Sequence, residues 1–533
     1  MARNTKNSQE LSLEQVLWNC RVALRGVGSI EKNRDAVIGL VFLKFAGDKF
    51  RNQRLYLKEK YGDVPFLDDP NFYTADNVFY LNETSRWTHI VKHAGANDIA
   101  IIIDQAMADI EEQNPSLQGA LPQKLFATLG ATPVALKALI DEIEKIDEQR
   151  FQEKDLIGRV YEYFLRAYAA AGTKDEGEFY TPASLVELIA ELIEPYSGTV
   201  YDPCCGSGGM FVQSMKFVEQ HNGNRNNVSI LGQESKPATW SLCKMNLAIR
   251  GISHNLGETN ASTFTNDQHQ DRKIDYIMAN PPFNLSKWRG KDELLKDARF
   301  AGFPAIPPAS NANYAWILHM ISKLDVNHGI AGFLLANGAL NADGDEYLIR
   351  KELIERDLVE AIIVLPRDMF YTTDISVTLW IINMNKKAHH KDGRDMRDRS
   401  HEILFMDLRT WNQNIDEIQI DKGKKKKKVA FTEDQISQIK AIYKAWQAAD
   451  KSGYKDVPEL CKSVHLTGEE GIRAHDYSLA PSKYIEFIDR DLDINFEVEM
   501  RKIQDEMKEI LRIEEESQAM LKAAFKGINY ELD

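Results

Sequence analysis

The chain has little cysteine, no surplus of basic charge and no long apolar run, and each shortage removes a class of function. Its five cysteines, Cys20, Cys204, Cys205, Cys243 and Cys461, are scattered apart from one adjacent pair. No C-x-x-C spacing offers a zinc or redox site, so no metal is expected and a reducing, cytoplasmic setting is. No stretch of about 18 apolar residues is present to span a bilayer. Residues Met1–Glu10 are polar and lack the apolar stretch of an export signal. Lys and Arg number 66 against 80 Asp and Glu, a net charge of −14. A protein that grips DNA unaided carries a basic face, because affinity grows with the number of phosphates neutralised. If DNA is the substrate, a partner is expected to bring it. No internal repeat is evident.

What is present is ordinary for a globular protein: 43% hydrophobic and 27% charged residues over a length of 533, enough for two or three domains. Residues 11–150 read as helical. Ser12 with Gln15 makes a capping box, after which Leu13, Val16, Leu17, Cys20 and Leu24 form one apolar stripe at helical spacing. A turn at Gly26–Gly28 leads to a second helix, apolar nearly all round from Val37 to Phe45, as a buried helix should be. Helices continue from Pro133 to Ala171, with Tyr161, Phe164 and Leu165 on the apolar side.

After Gly177 the pattern changes. Short apolar runs at Thr199–Tyr201, Val228–Leu231, Ile274–Ala279, Ile330–Leu335, Val359–Leu365, Ser376–Ile382 and Ile403–Asp407 read as strands. Amphipathic stretches at Leu185–Leu192, Ala238–Ile249 and Tyr314–Leu324 lie among them. That alternation implies an α/β domain with a largely parallel sheet. Lys422 and Lys424–Lys428 form a basic run on a glycine-containing loop, read as solvated and mobile; the sharper alternative is an insertion that contacts phosphate. From 492 to 528 a helix is expected, with Phe496, Met500, Ile503, Met507 and Ile510 in a coiled-coil seam. Leu521, Ala524 and Ile528 resume the seam, which packs either on its own domain or on another chain.

Two short motifs carry the chemistry. The strand Val200-Tyr201 runs into Asp202-Pro203-Cys204-Cys205-Gly206-Ser207-Gly208-Gly209, and a helix follows from Met210. Strand, glycine-rich turn and helix bring backbone amides close to a nucleotide-like cofactor. No Gly-Lys-Ser/Thr ends the loop, and Asp202 would repel phosphate. A carboxylate there suits an ammonium group, such as the amino-acid end of S-adenosylmethionine. Glu234, just after the next strand, is placed to accept two ribose hydroxyls. Cys204 and Cys205 read as small pocket-lining residues, since no histidine nearby in sequence would activate a thiol.

Further on, Asn280-Pro281-Pro282-Phe283 follows a buried strand. An exocyclic amino nitrogen is a poor nucleophile because its lone pair is delocalised into the ring. The Asn280 side-chain carbonyl and the Pro281 backbone carbonyl can hold both amino hydrogens, on a chain stiffened by two prolines. Phe283 can stack on the base. With an electrophilic sulfonium as donor, alignment supplies much of the rate and no metal is needed. Such a site cannot reach adenine N6 inside a duplex, so the base has to be flipped out.

These motifs resemble those of the DNA amino-methyltransferases. Gly177-Glu178-Phe179-Tyr180-Thr181-Pro182 is similar to the segment that precedes the cofactor loop in the group whose cofactor half comes first. The resemblance implies that Glu178, Phe179, Tyr180, Thr181 and Pro182 help enclose the methionine end of the cofactor. It places Asp202, Cys205, Gly206, Ser207, Gly208, Gly209 and Glu234 around the rest. Leu365-Pro366 with Met369-Phe370-Tyr371-Thr372-Thr373 resembles the motif that walls the target-base pocket. Leu17-Trp18, Leu24-Arg25-Gly26, the Leu40–Asp48 helix and Gly158–Tyr163 resemble the modification subunits of type I restriction–modification systems.

That resemblance implies a Rossmann-like S-adenosylmethionine-dependent methyltransferase domain over 156–480, an all-helical domain over 1–155, and a C-terminal helical segment, 481–533, for subunit contact. It implies adenine-N6 methylation of double-stranded DNA at a sequence read by a separate specificity subunit, two modification subunits to one. A restriction subunit would add nuclease and motor chemistry. Two departures stand out: Ser262-Thr263-Phe264 occupies the place of the acid that often meets the cofactor's adenine, with Asp267 a poorly spaced substitute and that contact left unassigned, and Asp374 stands where glycine is common. Three alternatives remain open: a single-chain DNA methyltransferase with its own reader, a protein-glutamine or RNA N-methyltransferase, and a scaffold that binds cofactor without turnover.

Overall fold

The computed structural model describes residues 13–63, 65–146, 160, 163, 181–370, 373–421, 424–450, 453–488 and 496–527. Contacts divide the chain into two units, Met1–Ile485 and Glu486–Asp533. The expected cap at Ser12, most of the helical continuation past Ile146, and the residues Glu178, Phe179, Tyr180, Tyr371, Thr372, Lys422 and Ile528 lie outside the described residues.

The first unit begins with helices. Leu13, Val16, Leu17, Cys20 and Leu24 are all buried, so the helix Leu13–Ala23 spends its whole stripe on the core. Ser29 caps the next helix, Ile30–Tyr61, by accepting from the Lys32 amide at 3.3 Å. Its apolar stretch from Val37 to Ala46 is buried among the helices Ile99–Gln113 and Pro133–Ile143. The helix Pro237–Ile249 joins this layer to the sheet. Its Leu242, Met245 and Ala248 belong to the helical core, while Trp240, Cys243 and Leu247 belong to the sheet core. Lys244 and Ser241 fix the junction by donating to the Gln118 and Gly119 carbonyls at 2.6 and 2.8 Å.

Strands β1 (Gly198–Asp202), β2 (Val228–Gly232), β3 (His254–Asn255), β4 (Tyr276–Ala279), β5 (Ile330–Ala336), β6 (Val359–Val364) and β7 (Val377–Asn383) lie in one sheet. A small hairpin, β8 (His389–Lys391) and β9 (Arg394–Met396), precedes β10 (Glu402–Asp407), which rejoins that sheet. A second hairpin, β11 (Ile415–Asp421) and β12 (Lys424–Val429), comes before the last strand, β13 (Cys461–His465). The nine-stranded sheet has the order β13-β10-β6-β7-β5-β4-β1-β2-β3. All seven strands read from sequence are present. Pairing is parallel except at β7 and β13. Among the described residues between β6 and β7 there is no crossover helix, and β7 returns antiparallel to both its neighbours.

Side chains alternate between two cores. Val200 and Met278 face the helices Ala183–Ile193, Gly209–Gln220 and Glu433–Gln447; Tyr201 and Ile277 face Asn313–Lys323 and Asp345–Glu355. Both faces are therefore covered, which explains why these strands read as continuous apolar runs.

The lysine run is not a solvated loop. Lys424–Val429 is β12, and its register sets Asp416 opposite Lys428, Glu417 opposite Lys427 and Asp421 opposite Lys424. A like-charge block forms a strand where the partner strand carries the opposite sign. Lys428 is buried.

In the second unit, the helix Phe496–Gly527 exposes Met500, Ile503, Met507, Ile510 and Leu521 along its length. Among the described residues, no helix is long and apolar enough to cross a membrane.

Candidate active site

Parallel pairing of β1 with both β2 and β4 makes β1 the strand where the chain order switches direction, and ligands bind beyond the C-terminal ends of strands at such a point. Asp202 ends β1 and Asn280 follows β4 directly. Both line one cavity of 370 Å³, together with Thr181, Cys205, Gly206, Ser207, Gly209, Glu234 and Pro282. Pro182, Gly208, Pro281 and Phe283 are not among its lining residues.

The glycine-rich turn is held from three sides. Its Cys205 amide donates to the Gln233 carbonyl at 3.0 Å, and the Gln233 amide donates to the Asp202 carbonyl at 3.1 Å. Asn246, on the helix Pro237–Ile249, donates to the Ser207 carbonyl at 2.8 Å. The Gly206 amide donates to Glu234 Oε2 at 3.1 Å, and the Lys236 amide donates to Oε1 at 2.9 Å. Gly208, at φ 84°, is the cap before the helix that begins at Gly209. A Cβ there would come within 2.9 Å of Cys243 Sγ, so glycine is required for both conformation and space.

Asp202 is almost fully buried, with the Cys204 amide donating to its Oδ1 at 3.0 Å. Burial, with Glu234 nearby, pushes its carboxyl up to about 7. A cation in the cavity would reverse that. The thiols behave as neutral packing groups: the hydrogen bond to Cys243 and burial push Cys205 well up, and burial beside Asp202 pushes Cys204 well up. Neither is a thiolate nucleophile.

Asn280 is oriented by Thr181, whose Oγ1 accepts from Asn280 Nδ2 at 2.9 Å. That leaves Asn280 Oδ1 buried with no hydrogen-bond partner among the described residues. A buried amide oxygen without a donor is costly unless something else fills the place. The turn after it is pinned by a reciprocal pair that sequence reading missed: the Asn284 amide donates to Asn313 Oδ1 at 3.0 Å, and Asn313 Nδ2 donates to Asn284 Oδ1 at 2.8 Å. Phe283 stands edge-on to Phe370, with ring centroids 5.8 Å apart at 85°.

The far end of the cavity is aromatic. Phe264 lies 4.2 Å from Trp316 and 4.7 Å from Trp288, centroid to centroid, and all three line it. Neither tryptophan was singled out from the sequence, where each looks like ordinary core. Asp267, the suggested adenine contact, is not at the cavity. Its carboxylate is buried 2.5 Å from Lys323 Nζ, where it neutralises a buried ammonium.

Residues 152–492 match the family described as N-6 DNA Methylase, and residues 13–143 match the HsdM N-terminal domain. The chain is 39% identical over 444 residues to the type I restriction enzyme HindI methylase subunit of Haemophilus influenzae, covering 81% of this chain and 93% of that protein. It is 31% identical over 535 residues to the type I restriction enzyme MjaIX methylase subunit of Methanocaldococcus jannaschii, covering 97% and 91%. Its fold matches that of the type I restriction-modification system methyltransferase subunit from Streptococcus thermophilus with a TM-score of 0.69 at 23% identity, over 89% of this chain and 99% of that one.

Because the folded chain holds Asp202 protonated up to about 7 while an ordinary aspartate ionises near 3.8, folding takes up a proton between those values. Its contribution to stability therefore falls as pH rises from about 4 to about 7 and is level above, by up to roughly 4 kcal/mol. Asp202→Asn keeps an oxygen for the Cys204 amide and removes the titration. The melting-temperature advantage of the variant over the parent should grow between pH 5 and pH 8; an advantage that does not change with pH contradicts the assignment.

Proposed function

The chain belongs to the N-6 DNA methylase family, and from that premise we propose that it is the modification subunit of a type I restriction–modification system. In this reading it transfers a methyl group from S-adenosylmethionine to N6 of a flipped-out adenine in double-stranded DNA. The observation that carries the reading is the buried, unpartnered Oδ1 of Asn280, a residue that Thr181 orients and that lines the same cavity as Asp202.

The cavity suits the cofactor at each end. Asp202 takes the ammonium group, whose positive charge favours the ionised carboxyl. Glu234 takes the ribose hydroxyls while keeping its backbone donors, since each carboxylate oxygen accepts more than one hydrogen. The backbone of Cys205, Gly206, Ser207, Gly208 and Gly209 permits close approach, and enclosing the methionine end is the role that the family resemblance implies for Glu178, Phe179, Tyr180, Thr181 and Pro182, of which Thr181 lines the cavity. The aromatic cluster of Phe264, Trp288 and Trp316 receives the adenine. Bound there, the cofactor supplies a methyl group on a positively charged sulfur.

On the substrate side, Asn280 Oδ1 and the Pro281 carbonyl hold the two amino hydrogens, drawing the nitrogen lone pair out of the ring and toward the methyl carbon. Desolvation strengthens the Asn280 acceptor, and its fixed orientation means little reorganisation during transfer. Pro282 stiffens the turn and Phe283 supports the base face. The amino nitrogen, cationic once methylated, would lose one hydrogen as a proton to water, while the neutral Asn280 amide only holds that hydrogen by a hydrogen bond.

A net charge of −14 fits a chain that leaves sequence readout to a specificity subunit. The exposed seam of Met500, Ile503, Met507, Ile510 and Leu521 suits burial against such a partner. We assign 1–155 to a helical domain, 156–480 to catalysis and 481–533 to subunit contact. Two copies act with one specificity subunit, and a restriction subunit completes the endonuclease.

Asn280→Ala should bind S-adenosylmethionine within about threefold of the parent, yet slow methyl transfer to DNA at least about 100-fold. Tritium transfer by the complex with its specificity subunit measures this, and parental turnover in the variant refutes the mechanism. Met507→Asp with Ile510→Asp should abolish co-purification with the specificity subunit and leave cofactor affinity unchanged. Retention of the complex by that double variant would remove the subunit-contact assignment.

A further inference from the structure

The loop between β6 and β7 carries the wall of the expected target-base pocket, yet among its described residues there is no helix. Met369 and Phe370 are buried, and Asp368 adopts φ 63°. Ser376 ties the two ends of the loop together by donating to the Leu365 carbonyl, and the lysine-rich hairpin holds its middle. The Val429 amide donates to the Asp368 carbonyl at 3.0 Å. One residue earlier in β12, Lys428 Nζ donates to the Phe370 carbonyl and lies 3.1 Å from Asp374 Oδ1. The Lys428 side chain is 4% exposed and that of Asp374 is 51% exposed, so the ammonium is inside and its counter-ion is at the rim. The base of the hairpin is closed by Asn414, which exchanges hydrogen bonds with Ala430: the Ala430 amide donates to the Asn414 carbonyl at 3.3 Å, and Asn414 Nδ2 donates to the Ala430 carbonyl at 3.0 Å.

Consecutive residues of a strand point to opposite faces. Lys427 is exposed and Lys428 buried, so the two lysines do different work. A buried ammonium is tolerated only when paired and hydrogen-bonded. Lys428 meets both a backbone carbonyl and a carboxylate of the one loop, so the conformation of that loop helps to bury the charge. A compact ammonium can serve a backbone carbonyl and a carboxylate at once, which a planar guanidinium in the same space does less readily. The same contact accounts for Asp374 at a position where glycine is common in this family.

We infer that Lys428 is a positioning residue for the methyl-acceptor site: by bridging the Phe370 carbonyl and the Asp374 carboxylate, it fixes the loop after β6 so that the Phe370 ring stands edge-on to Phe283. The consequence is a preset pocket wall for the extruded base, held by a hairpin none of whose described residues lines the cofactor cavity. This inference rests on the methyltransferase reading above, because that reading makes Phe283 a base contact.

Lys428→Met keeps the buried stem and removes the charge. In the assembled complex with its specificity subunit and a DNA duplex carrying the target site, single-turnover methyl transfer should slow about tenfold or more. S-adenosylmethionine affinity should stay within about twofold, and the fluorescence of 2-aminopurine at the target position should fall or shift. Lys428→Arg should recover part of the rate, and Asp374→Asn should lose less than Lys428→Met because the Phe370 carbonyl bond remains. In the full chain alone, amide exchange over 366–370 should quicken severalfold in Lys428→Met. Transfer within twofold of the parent overturns the inference, as does a rate loss matched by an equal loss of cofactor affinity. If the parental complex itself methylates no DNA, the functional reading fails; unchanged exchange over 366–370 then separately overturns the clamp.

Discussion

β1 and β4 lie side by side and run the same way, Val200 paired with Tyr276 and Tyr201 with Ile277. Because the pairing is parallel, the chain leaves the sheet at Asp202 and again at Asn280 over the same edge. A glycine-rich turn on one strand and a proline-stiffened turn on its neighbour then have to share the space above that edge. Antiparallel pairing would send the two turns to opposite ends of the sheet, and no cavity could contain both. The helices on the two faces serve this arrangement by keeping every central strand buried, so the sheet edge cannot shift without exposing apolar surface.

The shared space is chemically unfinished. Asp202 sits at a protonation state that a cation would change, and Asn280 presents an oxygen that nothing in the described chain satisfies. Both are unfavourable alone and favourable with the right ligand, which is how a folded protein holds binding energy ready for use. Around them the structure is fully committed. Gln233 and Asn246 brace one turn, and Asn284 with Asn313 braces the other. Rigid surroundings and unmet groups at the centre belong together, because an acceptor free to relax would find another donor.

Much of this was legible residue by residue. The seven sheet strands and the amphipathic helices between them follow from periodicity, since burial on both faces leaves a continuous apolar run. The two motifs were legible because their residue types are unusual in ordinary turns: an acid at a strand end before several glycines, and an amide before two prolines. The rest failed for physical reasons. Asp267 is poorly spaced for the adenine contact, which the sequence leaves unassigned, and its pairing with Lys323 depends on how a distant helix packs. Trp288 and Trp316 line the cavity, but a tryptophan reads as core in any sequence. The lysine run reads as a loop because its acidic partner strand, although close in sequence, gives no periodic signal.

The sequence by itself determined the local elements, the order of the motifs and the charge balance, because these depend on neighbours along the chain and on composition. Only the tertiary structure decided that Thr181 holds the amide nitrogen of Asn280, that β7 runs against its neighbours, that Phe283 meets Phe370, and that Lys428 is buried against the loop after β6. Each of those facts sets the direction or partner of a group whose alternatives are equal in local energy. Such choices are made by long-range packing, where one arrangement satisfies every buried polar atom that can be satisfied and the others do not.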